Sequence, residues 1–151
     1  MARYKKVKII TDACCKIENA HLKGRIGKGK SACGMIILDE EENIILEKSK
    51  YLGELTVPQA EYNGLIFALD LASGYCRNDI EVWMDSELVI KQMNGDYGIK
   101  SENMKPLYDE VKKLEGRFSG FKKYFHHKRN AKWAKYADAL AEAEYNKNHL
   151  G

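Results

Sequence analysis

The chain is 151 residues long, 44% hydrophobic and 31% charged, with a net charge of +3. Such a chain fits one domain, buries roughly two-thirds of its unfolded surface, and is too rich in apolar residues to be disordered or fibrous. No apolar run approaches the roughly 18 residues a spanning helix needs, and the opening MARYKKVKIITDACC lacks the apolar stretch of a secretory signal. Charge is segregated. Residues 1–30 carry nine Lys/Arg against Asp12 and Glu18, residues 31–62 carry two Lys against seven acids, and residues 120–136 carry six Lys/Arg and no acid. Two basic blocks around an acidic middle suit a polyanionic ligand such as nucleic acid, although a solvated lysine-rich surface reads the same way.

In chain order, the first strand is expected over Lys6–Asp12, with Val7, Ile9 and Thr11 facing one way and Lys8, Ile10 and Asp12 the other. A Gly/Lys-rich loop runs from about Lys16 to Lys30. Cys33–Leu38 and Ile44–Tyr51 form a hairpin across the polar turn Asp39–Asn43. Thr56-Val57-Pro58-Gln59 has the form of a capping box, with proline where a helix tolerates it. The helix it opens runs to about Ser73, with Leu65, Ala68, Leu69 and Ala72 on its apolar stripe. Glu61 lies on that stripe, where a carboxylate is unusual. Then come a strand over Ile80–Met84, a short helix over Ser86–Asn94, a helix over Asn103–Glu115, a strand over Phe121–Phe125 and a last helix over Ala131–Asn146. The order predicts an α/β fold, a mixed sheet with helices on its faces.

Cys14, Cys15, Cys33 and Cys76 show no CxxC spacing and no zinc-like pairing with histidine. They read as free thiols of a reducing cytoplasm.

Two apolar strands end in an aspartate, Asp12 and Asp85. On parallel neighbouring strands these would lie side by side, where open α/β sheets place their sites. Glu61 points at the same sheet, and Asp138 sits beside Ala137 near the packed side of the last helix. Four converging carboxylates repel unless a cation holds them, and an all-oxygen set suits Mg²⁺ or Mn²⁺. Each acid can equally be read as a strand-end or helix-cap residue, and spacing alone leaves both readings open.

The stretches Ile10-Thr11-Asp12-Ala13-Cys14-Cys15, Gln59-Ala60-Glu61-Tyr62, Met84-Asp85-Ser86 with Val89-Ile90, and Ala137-Asp138-Ala139-Leu140-Ala141 resemble ribonuclease H type 1, in that family's order and over nearly the whole chain. The resemblance implies the ribonuclease H-like fold, a five-stranded mixed sheet of order 3-2-1-4-5, as one domain over residues 1–151. It implies an endonuclease that hydrolyses the RNA strand of RNA–DNA hybrids, leaving 5′-phosphate and 3′-hydroxyl ends. Asp12, Glu61, Asp85 and Asp138 would bind two Mg²⁺ ions, with Mn²⁺ an alternative. Asp12 would bridge both ions, Asp138 would complete the one activating water, and Glu61 and Asp85 would hold the one at the leaving oxygen. His127 falls where the family places a mobile histidine, with His126 its competitor. Cys14, Cys15, Asn19, Thr56, Gln59 and Ser86 are implied substrate contacts, although Thr56 and Gln59 are as well explained by the cap. Lys122, Lys123, Lys128, Arg129, Lys132 and Lys135 are candidate phosphate contacts. A cytoplasmic monomer without membrane contact is the expected form.

The chain departs from the family at three places. Val57-Pro58 stand where minor-groove contacts are usual, Asn94-Gly95 leads quickly to Met104-Lys105-Pro106 with no room for a basic protrusion, and Lys128–Tyr136 is unusually basic. No hybrid-binding domain is expected ahead of Arg3. The rival reading is a non-catalytic binder of hybrid or double-stranded RNA.

Overall fold

Alternation of apolar side chains along β1 (Tyr4–Lys16) gives the sheet two buried faces. Val7 and Ile9 enter the larger core, and Ile10 enters a second cluster on the opposite side. The computed structural model describes residues 3–17, 27–99, 101–128 and 131–150. After β1 come β2 (Gly29–Leu38), β3 (Ile44–Leu55), α1 (Val57–Ala72), β4 (Cys76–Met84), α2 (Glu87–Met93), α3 (Lys105–Glu115), β5 (Lys122–His126) and α4 (Lys132–Leu150). The five strands form one sheet of order β3-β2-β1-β4-β5, as the resemblance implied. β1, β2 and β3 pair antiparallel, whereas β4 runs parallel to both β1 and β5.

α1 covers one face of the sheet, with Leu65, Ala68, Leu69 and Ala72 wholly buried. Its start is the expected capping box: the Gln59 amide donates to Thr56 Oγ1 at 3.3 Å and the Thr56 amide donates to Gln59 Oε1 at 3.0 Å. α4 covers the other face over β2, β1 and β3. It approaches closely because β2 offers Gly34, where a Cβ would collide with the Ala137 carbonyl. The hairpin turn is closed by Asp39, whose Oδ1 accepts from the amides of Glu41 and Asn43 at 3.0 and 2.8 Å. Glu42 takes a φ of 64° there.

Several boundaries differ from expectation. β1 continues four residues past Asp12, because Ala13–Lys16 keep pairing with β2 although they carry no alternating pattern. β2 and β3 lengthen with it, to Gly29 and Leu55, past Gly53 at φ 81°. β4 starts at Cys76, since Tyr4 pairs with it beyond the polar run Arg77-Asn78-Asp79. α3 starts at Lys105, with Pro106 in its first turn, and α4 extends to Leu150. All four cysteines are free, with Cys14, Cys33 and Cys76 buried. Among the described residues no helix is long and apolar enough to cross a membrane.

Candidate active site

The parallel ladder between β1 and β4 ends at Ile10 opposite Trp83. Two residues further along each strand lie Asp12 and Asp85. Asp12 is therefore not a strand end, because its other edge still pairs with Gly34 of β2, but on the β4 side it stands just beyond the last paired residue. Asp85 precedes α2, whose N-cap Ser86 accepts from the Val89 amide at 3.3 Å. The cap turns the chain immediately after Asp85. α1 contributes Glu61 from its first turns, and α4 contributes Asp138. Asp138 is exposed rather than on the packed side, since its neighbour Ala137 takes the buried position.

Asp12, Glu61, Asp85 and Asp138 line one cleft of about 540 Å³, together with Cys14 and Cys15. Burial, the charge of Asp85 and hydrogen bonding to Asp138 hold the Asp12 carboxyl up to about 8. Burial also raises Glu61; a hydrogen bond from Ser86 partly offsets this and Asp85 adds to it. Glu61 Oε2 is buried with no hydrogen-bond partner among the described residues. Such an orphaned acceptor in an all-carboxylate set suits a hard divalent cation. Among the described residues no three His, Cys, Asp or Glu side chains are already closed into an ion-holding group.

The other expected residues divide. Cys15 Sγ donates to the Leu55 carbonyl at 3.3 Å and Cys14 Sγ to the Ala141 carbonyl at 3.6 Å, and both residues line the cleft. Ser86 is buried beside Glu61 and Asp85. Thr56 and Gln59 line a neighbouring groove of about 700 Å³ with Tyr97 and Leu88. Asn19 and Arg129 lie outside the described residues. His126 is exposed on β5, whereas His127 is buried, its amide donating to the Met84 carbonyl at 3.0 Å. Burial lowers the His127 imidazole, with Asp85 pulling it up and His126 down. His127 lines a slot next to Trp83, not the carboxylate cleft. Of the described basic residues proposed to track phosphates, Lys135 lines the cleft, while Lys123 lies over the Phe121 ring and Lys132 over the Trp133 ring.

Sequence reasoning missed Glu142 and its 2.8 Å ion pair with Lys16, the first residue of the Lys16–Lys30 segment read as a source of hybrid affinity; both line the cleft. Glu142 had a signal: it lies one helical turn beyond Asp138, on the same face.

A family model described as reverse transcriptase-like matches residues 21–143. The chain belongs to that family. Among its curated relatives, a bifunctional protein of Mycobacterium tuberculosis is 33% identical over 91 residues, covering 60% of this chain and 25% of that protein. Ribonuclease HI of Halobacterium salinarum is 34% identical over 77 residues, covering 51% of this chain and 39% of that protein. The chain thus spans less than half the length of these relatives. The crystal structure of the H. salinarum RNase H1 matches with a TM-score of 0.80 at 27% identity, over 94% of this chain and 98% of that one. LC11-RNase H1 in complex with an RNA/DNA hybrid matches with a TM-score of 0.77 at 28% identity, again over 94% and 98%. This reverse transcriptase-like chain therefore has the type 1 ribonuclease H kinship and strand order that its motifs implied.

Proposed function

We propose that the chain is a ribonuclease H that cuts the RNA strand of an RNA–DNA hybrid, leaving 5′-phosphate and 3′-hydroxyl ends, through a single domain over residues 1–151. The observation that carries the reading is the meeting of Asp12 of β1, Glu61 of α1, Asp85 of the β4–α2 junction and Asp138 of α4 on one cleft. The hybrid-bound structure of a 28% identical relative supports the substrate class.

The donor set fits two Mg²⁺ ions, or Mn²⁺ in their place. When bound, such ions supply the Lewis acidity that generates a hydroxide nucleophile and neutralises a leaving oxygen. The chain's residues divide accordingly. Asp12, with Asp85 and Asp138 beside it, would hold both ions. Glu61 and Asp85 would hold the ion that neutralises the leaving 3′ oxygen, and Asp138 would complete the one that activates water. Ser86 orients Glu61 by hydrogen bonding. Cys14 and Cys15 line the cleft, where their amides would meet the ribose 2′-hydroxyl that separates RNA from DNA. Lys135 faces the same cleft and suits a phosphate. For His127 the reading is a proton-handling group near Asp85, held neutral near pH 7 by burial. The free thiols suit a cytoplasmic setting.

Cleavage of an end-labelled hybrid in Mg²⁺ tests the reading beside a gel shift in EDTA. Wild-type protein should cut only the RNA strand, and Asp85→Asn should lower the rate about 10³-fold or more while the fold survives. Hybrid binding without cutting would instead favour a non-catalytic binder, and full activity in Asp85→Asn would overturn the mechanism.

A further inference from the structure

The second face of the sheet is only partly covered. α4 lies over β2, β1 and β3, and no helix makes substantial contact with that side of β4 and β5 among the described residues. Ile80, Val82, Met84 and Tyr124 point into the core beneath α1, so alternation turns Glu81, Trp83, Lys123 and Phe125 onto the open side. The side chains there are unlike an ordinary solvated strand surface. Trp83 stacks on Phe125 with ring centroids 4.6 Å apart and planes 25° apart. Lys6 and Lys123 lie over the Phe121 ring at 5.4 and 4.6 Å.

Where this open face meets the start of α4 there is a slot of about 270 Å³. Ile10 and Leu38 give it an apolar base, and Trp83 and Trp133 line it with indole rings. Lys8 and Glu42 add polar groups, ion-paired at 3.0 Å, and Trp133 Nε1 donates to Glu42 at 3.2 Å. The volume suits one planar heterocycle rather than a larger ligand. None of the four cleft carboxylates lines it.

Charge and ring chemistry narrow the occupant. Lys123 lies over the Phe121 ring, and Lys132 lies over the Trp133 ring near Glu42; neither makes an ion pair among the described residues, so both are available to phosphates. Aromatic side chains on a sheet with lysines beside them are the platform on which unpaired bases stack. The carboxylate of Glu42 would repel a bare polyphosphate. It favours a ligand that also carries donors, such as base amines and ribose 2′-hydroxyls.

We propose that the slot lined by Trp83 and Trp133 holds one unpaired base of a single-stranded RNA, whose neighbouring phosphates are met by Lys123 and Lys132. The site shares none of the four cleft acids, although His127 lines it, and its occupancy needs neither metal nor cleavage.

The chain's two tryptophans both line the slot, so intrinsic fluorescence reports on it directly. The full chain in EDTA is titrated with an eight-nucleotide single-stranded RNA, and affinity is read independently by anisotropy of the labelled RNA. The expected result is quenching of tryptophan emission, with affinity lowered about tenfold in Trp133→Leu and about threefold or more in the surface variant Lys132→Glu. Circular dichroism checks each fold, and Lys132→Glu decides if Trp133→Leu is unfolded. Unchanged affinity in a folded variant, or binding without quenching, would overturn the proposal. So would equal binding of single-stranded DNA, or full displacement of the RNA by a blunt hybrid, which would place the strand in the carboxylate cleft.

Discussion

Lys16 and Glu142 form a 2.8 Å ion pair four residues beyond Asp12 on β1 and four residues beyond Asp138 on α4. The pair fastens strand to helix just past the two acids, and Lys16 also lies over the Tyr145 ring at 5.6 Å. Both partners are substantially exposed, so the pair adds at most about 1 kcal/mol to stability. Its larger effect is on the charge of the cleft. Glu142→Gln leaves an unbalanced cation there and should weaken Mg²⁺ binding about two- to fivefold, whereas Lys16→Met leaves an unbalanced anion and should strengthen it by a similar factor. Calorimetric titration of each variant with Mg²⁺ checks this; shifts of the same sign would contradict it.

The metal-free protein should lose stability as the pH rises from 6.5 to 8.5. Asp12, buried among other acids, gives up its proton only near pH 8, and Glu61 is raised as well. In the unfolded chain both carboxyls ionise near pH 4. The folded state therefore binds more protons between those limits, and stability falls across them with rising pH. Below pH 6.5 the lowered His127 acts in the opposite sense, which is why the window begins there. Thermal melts in EDTA should show a falling midpoint, flattened in Asp12→Asn and reversed by Mg²⁺. A midpoint that climbs over this range would be the contrary result.

Gly34 is the point where β2 lets α4 approach. It pairs with Asp12 across the β1–β2 ladder, and an added Cβ would strike the Ala137 carbonyl next to Asp138. Gly34→Ala should cost about 1–3 kcal/mol by overpacking. It should also displace Asp138 relative to Asp12, so hybrid cleavage should fall at temperatures where circular dichroism shows the variant still folded. Wild-type cleavage in the folded variant would separate the α4 contact from the site.

Most of this architecture was readable from residues. The capping box at Thr56 and Gln59, the apolar stripe of α1 and the acid at Glu61 are local patterns, and local patterns survive into the fold. What the sequence hid were features set by partners far along the chain. Ala13–Lys16 extend β1 only because β2 lies alongside, and their small thiol-bearing residues show no alternation. Asp138 next to Ala137 resembles a packed-side residue until α4 is laid on β2, where Gly34 fixes which face turns inward. The basic run after Gly120 reads as one patch, yet Lys135 turns into the carboxylate cleft while Lys123 and Lys132 lie over the rings of Phe121 and Trp133. The resemblance puts His127 in the segment of a mobile histidine shortly before Asp138, but its burial in a slot with Trp83 depends on the β5–α4 junction.

The buried thiols set a clock on the whole molecule. Burial pushes Cys14 up to about 11 and Cys33 up to about 12, so at neutral pH almost none of either is the reactive thiolate. Cys33 is wholly buried on β2 between two ladders, whereas Cys14 lines the carboxylate cleft. Alkylation of Cys33 therefore waits on rupture of the sheet, and its rate counts global openings rather than breathing at the cleft.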